Sequence, residues 1–168
     1  TAHVLHARLG LPHPCACAAV TLGCPGLVYG LQMAASMLTC STARYALVVG
    51  ADALTTRLGP KDASACMLFG DAGTATLLER CTDAPEMRVE LHSDGTGYKA
   101  IMIPAGGARK PIADRIPQLG EDGNERSDAD LYMNGTDVFT FTISQVPQLI
   151  NASMQRAGTS AADYDALV

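Results

Sequence analysis

Cys24 lies in the run Val20-Thr21-Leu22-Gly23-Cys24-Pro25-Gly26-Leu27-Val28-Tyr29-Gly30-Leu31-Gln32. A short apolar strand turns there through small residues into a helix, with the thiol at the joint. That is a setting in which a cysteine becomes a nucleophile. A free thiol with a pKa of about 8.5 is only a few per cent thiolate near neutrality, and the unpaired N–H groups and positive dipole end of a helix start favour the anion. The same N–H groups can hold the oxyanion of an acylated intermediate. Taken alone, a cysteine near a helix start also reads as a packed, inert thiol. Gly23 and Gly26, which permit close backbone approach, favour the nucleophile.

The elements that must position this thiol follow from periodicity and punctuation. Residues 14–22 read as a buried strand, and 26–39 as a helix with Leu27, Leu31, Ala34, Ala35 and Leu38 on one face. Residues 44–50 form the next strand, so 14–50 reads as a βαβ crossover with parallel neighbours. Residues 65–78 read as two apolar strands or a hairpin interrupted at Gly70-Asp71-Ala72-Gly73, and 87–92 as a short strand closed by the turn Ser93-Asp94-Gly95-Thr96-Gly97. The stretch 104–130, with Gly106-Gly107, three prolines and many charges, reads as a long, mobile surface excursion. From Tyr132 the pattern turns helical, with Val138, Phe139, Phe141, Thr142, Val146, Leu149 and Ile150 on a core face and Pro147 expected to kink or split it. An apolar strand starts at Asp165, and the chain stops inside it. The organisation is α/β, in three segments: 1–103, 104–130 and 131–168.

Composition bounds the function. The chain has 168 residues, 48% hydrophobic and 17% charged, with sixteen glycines and no tryptophan. Such a chain has enough apolar surface for a real core, and its small residues favour closely apposed elements. A net charge of -5 with only twelve Lys and Arg argues against a nucleic-acid surface, and an acidic carrier partner would need a local basic patch. Six cysteines without a signal-like leader or a membrane-length apolar run suggest reduced thiols and a cytoplasmic location. Cys15 and Cys17, with His3, His6 and His13 nearby, fit no tetrahedral zinc spacing, so no metal is expected.

Five motifs stand in order: Gly23-Cys24-Pro25-Gly26-Leu27-Val28-Tyr29-Gly30-Leu31, Ala46-Leu47-Val48-Val49-Gly50-Ala51-Asp52, Leu68-Phe69-Gly70-Asp71-Ala72-Gly73-Thr74-Ala75, His92-Ser93-Asp94-Gly95, and Met133-Asn134-Gly135-Thr136-Asp137-Val138-Phe139. In order and separation they resemble β-ketoacyl-acyl-carrier-protein synthase III, across nearly the whole chain. The resemblance implies the thiolase-like layered fold. Residues 1–103 would be the later part of its N-terminal half, carrying the nucleophile, and 131–168 the start of its C-terminal half. It implies that Cys24 takes an acyl group from acyl-coenzyme A, with no cofactor beyond that substrate, and passes it to the carbanion formed when malonyl-acyl-carrier protein loses carbon dioxide. Cys24 would carry the acyl group, its own backbone N–H helping to hold the oxyanion. Leu68, Phe69, Met133, Gly135 and Phe139 match positions that line the family's pantetheine and acyl tunnel. Periodicity alone also reads these five as core residues.

Two departures follow from the same resemblance. The family's decarboxylating His and Asn fall beyond residue 168, and none of His3, His6, His13 or His92 matches them, so this chain by itself is expected not to complete a condensation. An Asn usual three residues before the cysteine, and an Arg that stacks on the adenine of coenzyme A, are here Thr21 and Ala63, leaving Lys61 or Arg57 as possible phosphate partners. Three functions stay open. These are a part of an initiating enzyme of fatty acid synthesis, a related condensing enzyme of secondary metabolism, and a non-catalytic dimerising scaffold. The family's pairing across a two-fold axis near the cysteine implies a homodimer.

Overall fold

The computed structural model describes residues 1–84, 87–112 and 114–166. Contacts divide the chain into two compact units, Thr1–Ala51 with Gly73–Val89, and Asp52–Ala72 with Glu90–Val168.

The first unit opens with a short helix, α1 (Ala2–Arg8), and is built around α2 (Gly26–Cys40), β1 (Tyr45–Asp52) and β2 (Ala72–Glu79). The Arg80 amide, just past β2, donates to the Arg44 carbonyl at the entry of β1 at 2.8 Å, so these hydrogen-bonded neighbours run in opposite directions. Along β1, Ala46, Val48 and Gly50 are half-buried while Tyr45, Leu47 and Val49 are exposed, the period-2 alternation of a sheet with one covered face. The covered face lies against α2. A Cβ added to Gly30 would meet Val48 Cγ1 at 3.1 Å, and one added to Gly50 would meet Leu27 Cδ1 at 3.8 Å. Arg80 Nη1 donates to the Ser41 carbonyl at 2.6 Å and to the Leu38 carbonyl at 3.4 Å, supplying donors and a positive charge to the C-terminus of α2.

Here the structure departs from the βαβ reading. Residues 14–22 join no ladder among the described residues, and β1 pairs with β2, antiparallel, instead of with a preceding parallel strand. An apolar run is only a candidate strand; the ladder needs a neighbour to complete it. Residues 87–92 likewise carry no strand.

The second unit contains α3 (Ala63–Cys66), β3 (Ile101–Met102), β4 (Gln118–Leu119), β5 (Glu125–Arg126), β6 (Tyr132–Met133) and α4 (Gly135–Ala157). Where strands were expected from residue 65, a helical turn forms. Asp62 is its N-cap, its carboxylate accepting from the Ser64 amide at 3.0 Å, and Cys66 Sγ donates to the Gly59 carbonyl at 3.0 Å. Leu58, Ala65 and Leu131 form the core, with Leu54, Phe69 and Ile103 packed on it, and α3 lies against β6.

The 104–130 stretch is tied down at several points. The Ala105 amide donates to the Asp128 carbonyl at 2.8 Å, Gln118 pairs with Arg126 and Leu119 with Glu125 across an antiparallel hairpin, and Ser127, Ala129 and Asp130 are buried. The tip of that hairpin turns at Gly123, whose φ of 77 is left-handed and suits glycine. Helix α4 begins one residue after its N-cap Asn134 and runs through Pro147 without a break, ending at Gly158 with φ 68. Val138, Leu149 and Ile150 are half-buried, whereas Phe139, Phe141 and Val146 are exposed, so the expected core face is only partly covered within the described residues. The strand expected over 165–168 falls partly outside the described residues.

Candidate active site

Residues 23–26 form the joint at which the candidate nucleophile sits. The Gly26 amide donates to the Gly23 carbonyl at 2.8 Å, closing a tight turn over Cys24 and Pro25, and Pro25 with φ -80 is the N-cap of α2. Proline loses nothing there, because the cap position needs no intrahelical N–H bond. The Tyr29 amide reaches back to the Pro25 carbonyl at 3.1 Å, whereas the Leu27 and Val28 amides donate to no acceptor among the described residues. Cys24 is exposed, a free thiol two residues before a fifteen-residue helix in whose first turn the Leu27 and Val28 N–H groups are unspent. Because Gly30 and Leu27 fix α2 on β1, the sheet sets the position of the thiol.

The five residues read as tunnel-lining belong to the second unit. Leu68 follows α3 and is 66% exposed, while its neighbour Phe69 packs on the Leu58, Ala65 and Leu131 core. Met133, buried, is the last residue of β6, and its strand partner is Ile101. Gly135 opens α4 with open space where a Cβ would project, and Phe139, one turn on, is 64% exposed. The packing of α3 on β6 puts the elements carrying these residues side by side. Phe69 and Met133 have core surroundings, and Leu68 and Phe139 present apolar side chains to the outside.

The helix start after β6 is well made. Asn134 Oδ1 accepts from the Asp137 amide at 3.2 Å while Asn134 Nδ2 donates to Asp137 Oδ2 at 2.8 Å. The Gly70-Asp71-Ala72-Gly73 motif also has a concrete use: Asp71 accepts from the Thr55 amide at 2.8 Å and the Thr55 hydroxyl at 2.7 Å. Those hydrogen bonds, the backbone one foremost, hold its carboxyl below the usual range.

Around Ala63 the sequence reading missed the main feature. Lys61 is engaged with Glu125 at 2.9 Å, the Ala63 amide donates to Asn124 Oδ1 at 3.0 Å, and Arg126 Nη1 donates to Asp62 Oδ2 at 2.7 Å. The β4–β5 hairpin is thus fastened to 61–63. Arg57 has no side-chain partner among the described residues. Asp122-Gly123, a hairpin signal in the sequence, could have revealed the hairpin. Nothing local to Asp62 indicates a partner so distant along the chain. All six cysteines are free thiols, and among the described residues no three His, Cys, Asp or Glu side chains converge on a metal position. His6 Nε2 lies 3.3 Å from the Pro12 carbonyl and His92 Nε2 lies 3.9 Å from Glu90. No described helix is long and apolar enough to cross a membrane.

Residues 19–95 match the family model of 3-oxoacyl-[acyl-carrier-protein (ACP)] synthase III. The whole chain aligns at 36% identity with 45% of beta-ketoacyl-[acyl-carrier-protein] synthase III 2 of Streptomyces coelicolor, and at 30% with 49% of the synthase III of Caldanaerobacter subterraneus. Among solved structures, a 3-oxoacyl-(acyl-carrier-protein) synthase III crystal structure superposes with a TM-score of 0.86 at 32% identity, over 98% of this chain and 50% of that one. The Burkholderia xenovorans synthase gives 0.78 at 31%, over 98% and 46%. The chain spans about half the length of the relatives it matches.

Proposed function

The chain belongs to the β-ketoacyl-acyl-carrier-protein synthase III family, with its thiolase-like α/β fold, over about half the length of its relatives, and from that premise we propose that Cys24 is the acyl-carrying nucleophile of an enzyme initiating fatty acid synthesis. The observation that carries this reading is the exposed Cys24 thiol in the hydrogen-bonded turn before α2, beside the unspent Leu27 and Val28 amides. In the proposed first step the Cys24 thiolate adds to the carbonyl of acyl-coenzyme A. The carbon–sulfur bond to coenzyme A breaks, coenzyme A leaves as its thiolate, and the acyl group stays on Cys24. In the second, malonyl-acyl-carrier protein loses carbon dioxide, and the resulting carbanion forms a carbon–carbon bond to the acyl carbon, returning Cys24 to thiolate. In this reading the backbone N–H groups at the helix start receive the developing oxyanion.

Within this reading Leu68, Phe69, Met133, Gly135 and Phe139 border the pantetheine and acyl channel, residues 1–103 carry the nucleophile, and 131–168 begin the second half of the fold. The protein works as a cytoplasmic homodimer, and the 168-residue chain alone acylates poorly and does not condense. Intact-mass spectrometry after incubation with acetyl- and longer acyl-coenzymes A tests it on the full-length protein and on this chain, each with its Cys24→Ser variant. A single acyl adduct on the full-length protein, lost in the variant, is expected; no adduct, or one that survives the substitution, overturns the assignment.

A further inference from the structure

Two cross-strand residue pairs divide the surface of the β3–β6 ribbon. Ile101 faces Met133 and Met102 faces Tyr132, and successive side chains of a strand point to opposite sides. Met133, proposed for the acyl channel, therefore lies on one side of this ribbon, and the Met102–Tyr132 pair lies on the other. On that other side the second unit has a broad, open cleft of about 730 Å³, lined by Met102, Tyr132, Tyr98 and Pro104 and bordered by Lys99, Arg109, Lys110 and Asp137. Its size is in the range of small-molecule sites, which combine an apolar wall with a few convergent polar groups.

The charges at the border are not equivalent. Lys110 is satisfied by Asp128 at 2.5 Å, and the Asp137 carboxylate is spent on Asn134 at the start of α4, where the helix dipole offsets it. Lys99 meets only the Tyr98 ring, at 5.8 Å from its centroid, and Arg109 has no partner among the described residues. Arg109 is carried on a turn held at both ends. The Gly106 amide donates to the Lys110 carbonyl at 2.8 Å, Gly106 has φ 119, and Ala105 is buried and bonded to Asp128. The cleft thus offers an apolar floor, open to solvent, with two cations at its edge that no acidic side chain pairs among the described residues.

We propose that this cleft is a second small-molecule site, on the face of the β3–β6 ribbon opposite Met133, taking an amphipathic anion: a medium aliphatic chain with one carboxylate or phosphate head. The chain lies along Met102, Pro104 and the two phenol rings, and the head meets Lys99 and Arg109. Such a ligand forms no bond to the Cys24 sulfur, so its binding survives Cys24→Ser.

The test is titration of decanoate and of decyl phosphate into the protein carrying ¹³C-labelled methionine methyl groups. Saturable movement of the Met102 signal is expected, with a Kd raised at least tenfold in the double variant Lys99→Gln/Arg109→Gln and on substituting neutral decanol. Whichever of the two anions binds more tightly identifies the head group. A Kd unchanged in the double variant, a response equally strong to decanol, or movement of the exposed Met33, Met37 and Met67 signals in place of Met102 overturns the proposal. The unchanged methionine spectrum of the unliganded double variant serves as the folding control, and Tyr98→Ala, at an exposed ring, is the alternative variant should that spectrum change.

Discussion

Arg126 donates through Nη1 to Asp62 Oδ2 at 2.7 Å, and the Asp62 side chain is completely buried. The same guanidinium holds Asp122 through Nη2 and lies over the Tyr132 ring, 4.9 Å from its centroid. One cation therefore joins α3, the β4–β5 hairpin and β6. Removing it strands a buried carboxylate that retains only the Ser64 amide and hydroxyl. Arg126→Gln is expected to cost about 3 kcal/mol in urea unfolding, at the lower end for a broken buried ion pair. Arg44→Gln, which breaks the exposed pair with Glu79, is expected to cost less than about 1 kcal/mol. Equal losses for the two would remove the distinction between strut and surface pair.

A second prediction concerns Gly59. A Cβ there would meet the Glu125 carbonyl oxygen at 3.0 Å and Arg126 Cβ at 3.1 Å, and a backbone atom cannot swing aside as a side-chain tip can. Gly59→Ala is expected to lower stability by about 1–3 kcal/mol, the cost of overpacking. Gly70→Ala, with nothing within 4 Å of the added carbon, is the comparison and should stay within about 1 kcal/mol. A neutral Gly59→Ala would mean that the hairpin can move off 59–63.

Acid should loosen the same hairpin. The Arg126 hydrogen bond holds the Asp122 carboxyl down to about 2, below the usual carboxylate value near 3.9. A depressed pKa stabilises the folded state when the pH lies above the unfolded value, and that contribution is lost as the pH falls from about 4 towards 2. Asp122→Asn should therefore flatten the acid limb of a stability–pH curve over that window. An acid limb unchanged by the substitution would contradict the coupling.

At the start of α4, Asn134→Ala removes both halves of the reciprocal bond with Asp137 and leaves a first-turn amide without its acceptor. A loss of about 1 kcal/mol is expected by thermal or urea denaturation. Asn134→Asp, which retains an acceptor for the Asp137 amide, should recover part of it.

How much of this was legible in the sequence depended on whether the signal was local. The start of α2 could be read from Gly23, Pro25 and Gly26, and β1 from its Val-rich alternation, whereas the joint holding Cys24 was read as strand into helix and only its helix side forms. Residues 14–22 and 87–92 were misread because an apolar run cannot report whether a neighbouring strand will pair with it. The turn at 63–66 was hidden by apolar residues that suit a strand, until the Asp62 cap decides for a helix. The Asp62–Arg126 pair joins residues 64 positions apart, a separation over which single-sequence patterns say nothing. The cleft behind Met102 and Tyr132 depends on strand register, and register is set by pairing that two-residue strands do not advertise.

The seat of α2 on β1 has a consequence for how this sequence can drift. Positions 30 and 48 share a single volume, since the missing side chain of Gly30 is the space that Val48 fills. Enlarging residue 30 requires the residue 48 side chain to give way, so the two positions are expected to change together. The turn that presents Cys24 inherits that restraint, although neither residue comes from it.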